Sequence, residues 1–86
     1  LWVKLNGHLK NLSVCEIGEK LVVEKLTPSL INSKLLEMGI YVGKPISILF
    51  KAPFGDPIAV QIGDYVLSMR KSEAETILVK VALNEN

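Results

Sequence analysis

Hydrophobic and polar positions alternate most regularly between Lys44 and Arg70. Ile46, Ile48 and Phe50 interleave with Ser47, Leu49 and Lys51; Ile58, Val60 and Ile62 with Ala59, Gln61 and Gly63; Tyr65, Leu67 and Met69 with Val66, Ser68 and Arg70. A period of two belongs to strands with one buried face, so the stretch predicts three consecutive β-strands over a common core. Gly63-Asp64 is the whole connection between the second and third runs, and glycine first suits a type II′ hairpin, where that position needs positive φ. The connection between the first and second runs, Ala52 to Pro57, is richer than a hairpin requires: two prolines, a glycine, and Phe54 at its tip.

The same reading extends outward in both directions. Residues 1–11 form a lead-in, with Leu1, Val3 and Leu5 alternating before Asn6-Gly7 breaks the pattern; it is either an added edge strand or a mobile tail. From Leu12 a short approach reaches a turn at Gly18-Glu19, and Leu21 to Leu26 reads as the first core strand. Thr27-Pro28 then opens a helix, with proline at its first position, and Leu30, Ile31, Leu35 and Met38 share one side while Lys34 and Glu37 face out. Gly39 ends that helix as a left-handed C′ residue, with Ile40 packing back on Leu35 in a Schellman motif. Tyr41-Val42-Gly43-Lys44 has glycine where a type II turn needs it. Beyond the three strands, Ser72 and Glu75 have the spacing of a capping box for a one-turn helix. Ile77, Val79 and Val81 make a closing strand, and residues 83–86 are a polar end expected to fray. The prediction is a mainly β domain over 12–82: a small barrel of about five strands, a short helix after the first and one helical turn before the last. Closure of this kind removes edges that so short a chain could not otherwise cover.

Composition narrows the function more than the fold. A chain of 86 residues buries only about 60–65% of its unfolded surface, so it has little core to spare. Hydrophobic residues make up 49% and aromatics 6%, which leaves Val, Ile and Leu to fill the interior. A net charge of +1 argues against a dedicated nucleic-acid binder, whose basic charge is concentrated on one face. Cys15 is the only cysteine, so no internal disulfide forms, in keeping with a reducing cytoplasm. No apolar run approaches the roughly 20 residues that cross a bilayer, and nothing resembles a signal peptide; the expectation is a soluble, unexported, cytoplasmic monomer. The chain opens on leucine rather than methionine, which leaves its natural start out of sight.

Nothing in the sequence assembles an active site, and an enzyme is not expected. His8 is the sole histidine and lies in the lead-in, with no Ser or Cys placed to work with it. There is no CxxC, no HxxxH, no carboxylate cluster with ligand spacing, and no Gly-rich phosphate loop. What remains is surface. An aromatic at the tip of a stiffened turn makes an anchor for a protein partner, unless Phe54 folds back over the open end of the barrel. The candidate partner-binding residues are Tyr41, Lys51, Pro53, Phe54, Gly55, Asp56 and Arg70. Gly39, Gly43, Gly63, Ser72 and Glu75 are assigned to turns and caps.

Three stretches carry a family resemblance. Lys34 to Gly43, KLLEMGIYVG, resembles the (R/K)LLELG(L/I)xxG signature of FeoA-type proteins; Ala52 to Ile58, APFGDPI, is similar to their AP(L/F)GDP(I/V) loop; and Leu67 to Ala74 resembles their LALRxxEA element. With Leu12 to Gly18 matching the family's opening, the likeness covers Leu12 to Val81. It implies an SH3-like β-barrel, and a small cytosolic accessory protein of bacterial ferrous-iron uptake, working with FeoB, a membrane permease that bears a cytosolic GTP-binding domain. It implies no resident cofactor; transient binding of ferrous iron, a transition-metal ion, is compatible with it, although no site for the ion is visible. Lys34 stands where arginine is usual, and lysine lacks arginine's bidentate fork. Two other readings remain open. One is an SH3-like regulatory module, as at the C-terminus of iron-dependent repressors, binding a proline-containing segment. The other is a metal-dependent dimer carrying iron through His8 or Cys15 of two copies.

Overall fold

Six antiparallel strands form one sheet in the computed structural model, which describes residues 9–27 and 32–82. They are β1 (Lys10–Asn11), β2 (Lys20–Leu26), β3 (Pro45–Lys51), β4 (Ile58–Ile62), β5 (Tyr65–Met69) and β6 (Ile77–Val81), in the spatial order β1-β6-β2-β3-β4-β5. A 3-10 turn (Leu12–Val14) follows β1, α1 (Asn32–Glu37) lies between β2 and β3, and α2 (Lys71–Ala74) between β5 and β6. The strand beyond the expected five is β1, which comes from the lead-in and pairs Lys10 with Val79 and Asn11 with Leu78. Expectations for residues 1–8, for Pro28, Leu30 and Ile31, and for 83–86 fall outside the described residues.

The alternation in the sequence becomes the inner face of the sheet. Leu21 and Val23, Ile46 and Ile48, Ile58, Val60 and Ile62, Met69, and Ile77 and Val79 are all buried, joined by Leu12, Cys15, Leu35, Ile40 and Ala74. Three residues of the expected inner face are exposed: Tyr65 and Val81 at strand ends, and Phe50. The register of β3 against β4 shifts between Ile48 and Phe50, so Leu49 is the extra residue of a bulge. A single inserted residue reverses the phase of everything after it. Phe50 then stands opposite Ala59 on the outer face, and Lys51 opposite Ile58 on the inner one. Lys51 closes that end of the core by donating from its ammonium to the Ser13 carbonyl at 3.0 Å.

The turns follow the glycines. Gly39 has φ +94°, its N–H donates to the Leu36 carbonyl and that of Ile40 to the Leu35 carbonyl, the paired bonds of a Schellman motif. Gly63 has φ +63° while Asp64 does not take positive φ, so the hairpin is of the II′ kind, closing Ile62 on Tyr65. The cap of α2 departs from expectation. Ser72 and Glu75 do not frame it; the N-cap is Arg70, still extended at ψ 154°, and Glu73 at N3 accepts from the Arg70 N–H at 2.8 Å. The helix begins directly at the end of β5, which puts Ser72 inside it, and arginine has no acceptor atom to complete the reciprocal bond.

Among the described residues β1 and β5 do not pair, so the barrel is not closed by a continuous ladder. One contact spans the gap. α2 packs on the 3-10 turn that follows β1. α1 buries Leu35, and two contacts hold it: the Tyr65 hydroxyl donates to the Met38 carbonyl, and Lys34 Nζ lies 3.7 Å from Glu73 Oε2.

Candidate protein-contact site

The β3–β4 loop is built to hold one side chain away from the body of the protein. The Gly55 N–H donates to the Ala52 carbonyl at 2.7 Å, which makes Pro53 and Phe54 the central pair of a turn; the Ala52 N–H donates to the Pro57 carbonyl at 3.0 Å across the loop's base. Proline fixes φ ahead of the aromatic, and Gly55 takes the left-handed conformation, φ +81°, that lets the chain return. Asp56 anchors the far side: its carboxylate accepts from the Lys71 N–H at 3.0 Å, tying the loop to the first turn of α2. The Asp56-Pro57 peptide bond is cis. Phe54 is 92% exposed. Of the two arrangements open to it, the structure has the outward one, and the side chain does not fold back over the barrel.

The seven candidate residues do not form one patch. Pro53, Phe54, Gly55 and Asp56 share the loop, and Arg70 lies beside them through the bond from Asp56 to its neighbour Lys71. Lys51 is turned inward and committed to Ser13. Tyr41 sits at the opposite end of β3, in the turn that feeds the strand, with the Lys44 ammonium 5.7 Å from its ring centre. Seven residues of β3 separate it from the loop, about 20 Å of extended chain.

Sequence reasoning missed the apolar surroundings of the loop. The 3-10 turn and the segment after it run beside the second half of β3, as the bonds from Gly18 N–H to the Ile48 carbonyl (2.9 Å) and from Lys51 to Ser13 show. Val14 and Ile17 on that segment, and Leu49 and Phe50 at the bulge, are exposed. The signal was present: two adjacent large apolar residues, Leu49-Phe50, cannot both face inward from one strand.

Among the described residues the electrostatics are local. Cys15 is buried with Sγ 3.6 Å from the Asn11 carbonyl, and burial pushes its thiol pKa up, so it stays protonated at neutral pH. The Glu19 carboxylate accepts from the Glu16 N–H at 2.8 Å and pairs with Lys10 at 3.2 Å. The hydrogen bond from the Glu16 backbone chiefly holds its pKa below the usual range, with Lys10 adding to it. Among the described residues no three His, Cys, Asp or Glu side chains come together as metal ligands, and no helix is long and apolar enough to cross a membrane. His8 lies outside the described residues.

Known proteins share this fold. The family model of the FeoA domain matches residues 10–81. An FeoA-like protein from Clostridium acetobutylicum, solved by NMR, is 43% identical with a TM-score of 0.81, covering 91% of this chain and 92% of that one. The zinc-complexed FeoA of Stenotrophomonas maltophilia, described as a procaryotic SH3 domain protein, is 29% identical with a TM-score of 0.72 over 81% of this chain and 88% of its own. A fusion protein of Fe(2+) transport protein A and the Fe(2+) transporter FeoB from Porphyromonas gingivalis is 32% identical over 71 residues, 81% of this chain. The match spans only 8% of that fusion's length. With three sequence signatures, an SH3-like barrel and a family match over nearly all its length, this chain belongs to the FeoA family.

Proposed function

We propose that the protein is a non-enzymatic accessory factor of bacterial ferrous-iron uptake that acts in the cytoplasm by direct contact with a FeoB-type GTP-binding permease. The carrying observation is Phe54, 92% exposed on a loop pinned at both ends. Burying a phenylalanine side chain is worth about 1.5–3 kcal/mol, and a pre-ordered loop loses little conformational entropy on docking. No packing requirement inside the barrel explains the outward placement. The fusion relative supports the choice of partner, since in it the two components are parts of one chain. The contact surface is drawn around Pro53, Phe54, Gly55, Asp56 and Arg70, bordered by the exposed Leu49 and Phe50; Tyr41 lies too far along β3 to share it.

The test is an amide NMR titration with the purified cytosolic GTP-binding domain of the cognate permease, loaded with GDP and then with a GTP analogue. Shifts centred on Ala52 to Asp56 and Arg70 are expected, and their dependence on nucleotide identifies the state that is read. Phe54→Ala should lower iron uptake in cells while changing stability by less than about 0.5 kcal/mol, because an exposed side chain has little packing to lose. Silence in both nucleotide states, or normal uptake in the variant, overturns the loop as the contact.

A further inference from the structure

A concavity lies at the other end of β3 from the Phe54 loop, on the outer face of the sheet. It is an open groove of about 380 Å³, lined among others by Lys20, Lys44, Pro45, Ser47, Gln61 and Ala82. The strand register builds it. Lys20, Ser47, Gln61 and Val66 form one cross-strand row from β2 to β5, with the small Ser47 between longer neighbours. Lys44 is positioned rather than merely present. Its ammonium stands over the Tyr41 ring and beside Gly63, where a Cβ would come within 3.3 Å of it. The hairpin's glycine therefore leaves the space along which this lysine lies.

Among the described residues that line the groove, both charged ones are lysines. No carboxylate lines it, and no described carboxylate lies within ion-pair distance of Lys20 or Lys44. Glu19, next to Lys20, is engaged with Lys10 and the Glu16 N–H. Gln61 uses its side-chain N–H groups on the Gly63 and Tyr65 carbonyls at 2.9 and 3.2 Å. The groups left to meet a ligand are two ammoniums and the Ser47 hydroxyl, beside apolar surface supplied by Pro45 and Ala82, since the Leu21 and Ile46 side chains are buried on the inner face.

We propose that this groove binds an acidic, extended segment of a partner protein, with carboxylates paired to Lys44 and Lys20 and the intervening chain lying over Ser47 and Pro45. Charge complementarity selects the anion. The spread of the two lysines, three residues and one strand apart, together with the apolar Pro45 and Ala82, favours a peptide over a compact anion, which would leave that apolar surface uncovered. The site is independent of the Phe54 loop, which lies beyond the opposite end of the strand.

The test is an amide NMR titration of the whole chain with a short synthetic peptide of alternating glutamate and alanine at low salt. Saturable shifts are expected at Lys44, Ser47 and Gln61. Lys44→Glu and Lys20→Glu should each weaken binding about fivefold or more. Lys25→Glu, which changes net charge equally on an exposed residue outside the groove, should leave it unchanged, as should Phe54→Ala. Equal weakening by Lys25→Glu would show diffuse attraction instead of a site, and loss in Phe54→Ala would move the peptide to the loop. Matching shifts with inorganic phosphate or GDP would make the groove a small-anion site, and no shift at millimolar peptide would leave it without a ligand of this class. Each of those four outcomes overturns the proposal.

Discussion

Gly39 is under two constraints at one position. Its φ of +94° completes the Schellman motif, and a Cβ built there would run into the Tyr65 hydroxyl, which donates to the carbonyl of the preceding Met38. The first constraint is conformational and the second steric, so they separate by mutation. Gly39→Val should cost at least about 1 kcal/mol through forced positive φ alone, and more through the collision. Tyr65→Phe should cost about 1 kcal/mol for the lost hydrogen bond. In the Gly39→Ala/Tyr65→Phe pair, removing the hydroxyl also removes the obstacle, so the double variant should be more stable than the sum of its single losses predicts. Denaturant midpoints measure all of these. Strict additivity would mean that glycine is required here for φ alone.

At the scale of elements, local chemistry was legible wherever a residue type dictates its own backbone. Gly39, Gly43 and Gly63 all take positive φ, as the turn patterns demanded. The alternating runs became β3, β4 and β5 within a residue or two. What failed was phase. Nothing in the sequence marks Leu49 as an inserted residue, and its insertion turned Phe50 out and Lys51 in. The same limit affected α2, where serine and glutamate had the right spacing but β5 runs straight into the helix, so Arg70 became the cap through its backbone. Glu73 holds that junction, with Oε1 on the Arg70 N–H and Oε2 facing Lys34 on α1. Glu73→Ala should therefore cost about 1 kcal/mol, in the range of a lost cap, while Ser72→Ala and Glu75→Ala should stay within about 0.5 kcal/mol. Lys34 is 66% exposed at the side chain, so Lys34→Ala should cost less than about 1 kcal/mol. Thermal or denaturant unfolding ranks the four; a larger loss at Ser72 than at Glu73 would restore the later cap.

For the molecule as a whole, β1 and β5 are the ends of the sheet, and the candidate contact surface follows from that topology. β5 delivers Arg70 and Lys71 beside the β3–β4 loop, where Asp56 meets the α2 backbone; no pattern within either segment announces the contact, because it exists only once the strands are ordered. At the other end of the sheet β1 is two residues long, and Lys10 within it reaches Glu19 just ahead of β2. That link gives the fold a defined pH response. The folded state holds the Glu19 carboxyl below its ordinary 4.5, so its contribution is complete above that value and is lost as pH falls through the lower, folded one. Lys10 is held above 10.5, chiefly by its hydrogen bond to Glu19, so its contribution is complete below 10.5 and is lost as pH rises through the higher, folded value. Stability should be level between about 4.5 and 9.0 and fall on acidification; above 9.0 it falls as well, because burial keeps the Cys15 thiol protonated in the folded state while the unfolded chain ionises it. The main cause at Glu19 is the bond from the Glu16 N–H, with Lys10 secondary. Glu19→Gln should therefore remove this part of the acid slope, whereas Lys10→Met should keep most of it. Denaturant midpoints measured from neutral pH down through the carboxylate range distinguish the two. Equal flattening by both variants would make the ion pair, rather than the backbone hydrogen bond, the source of the response.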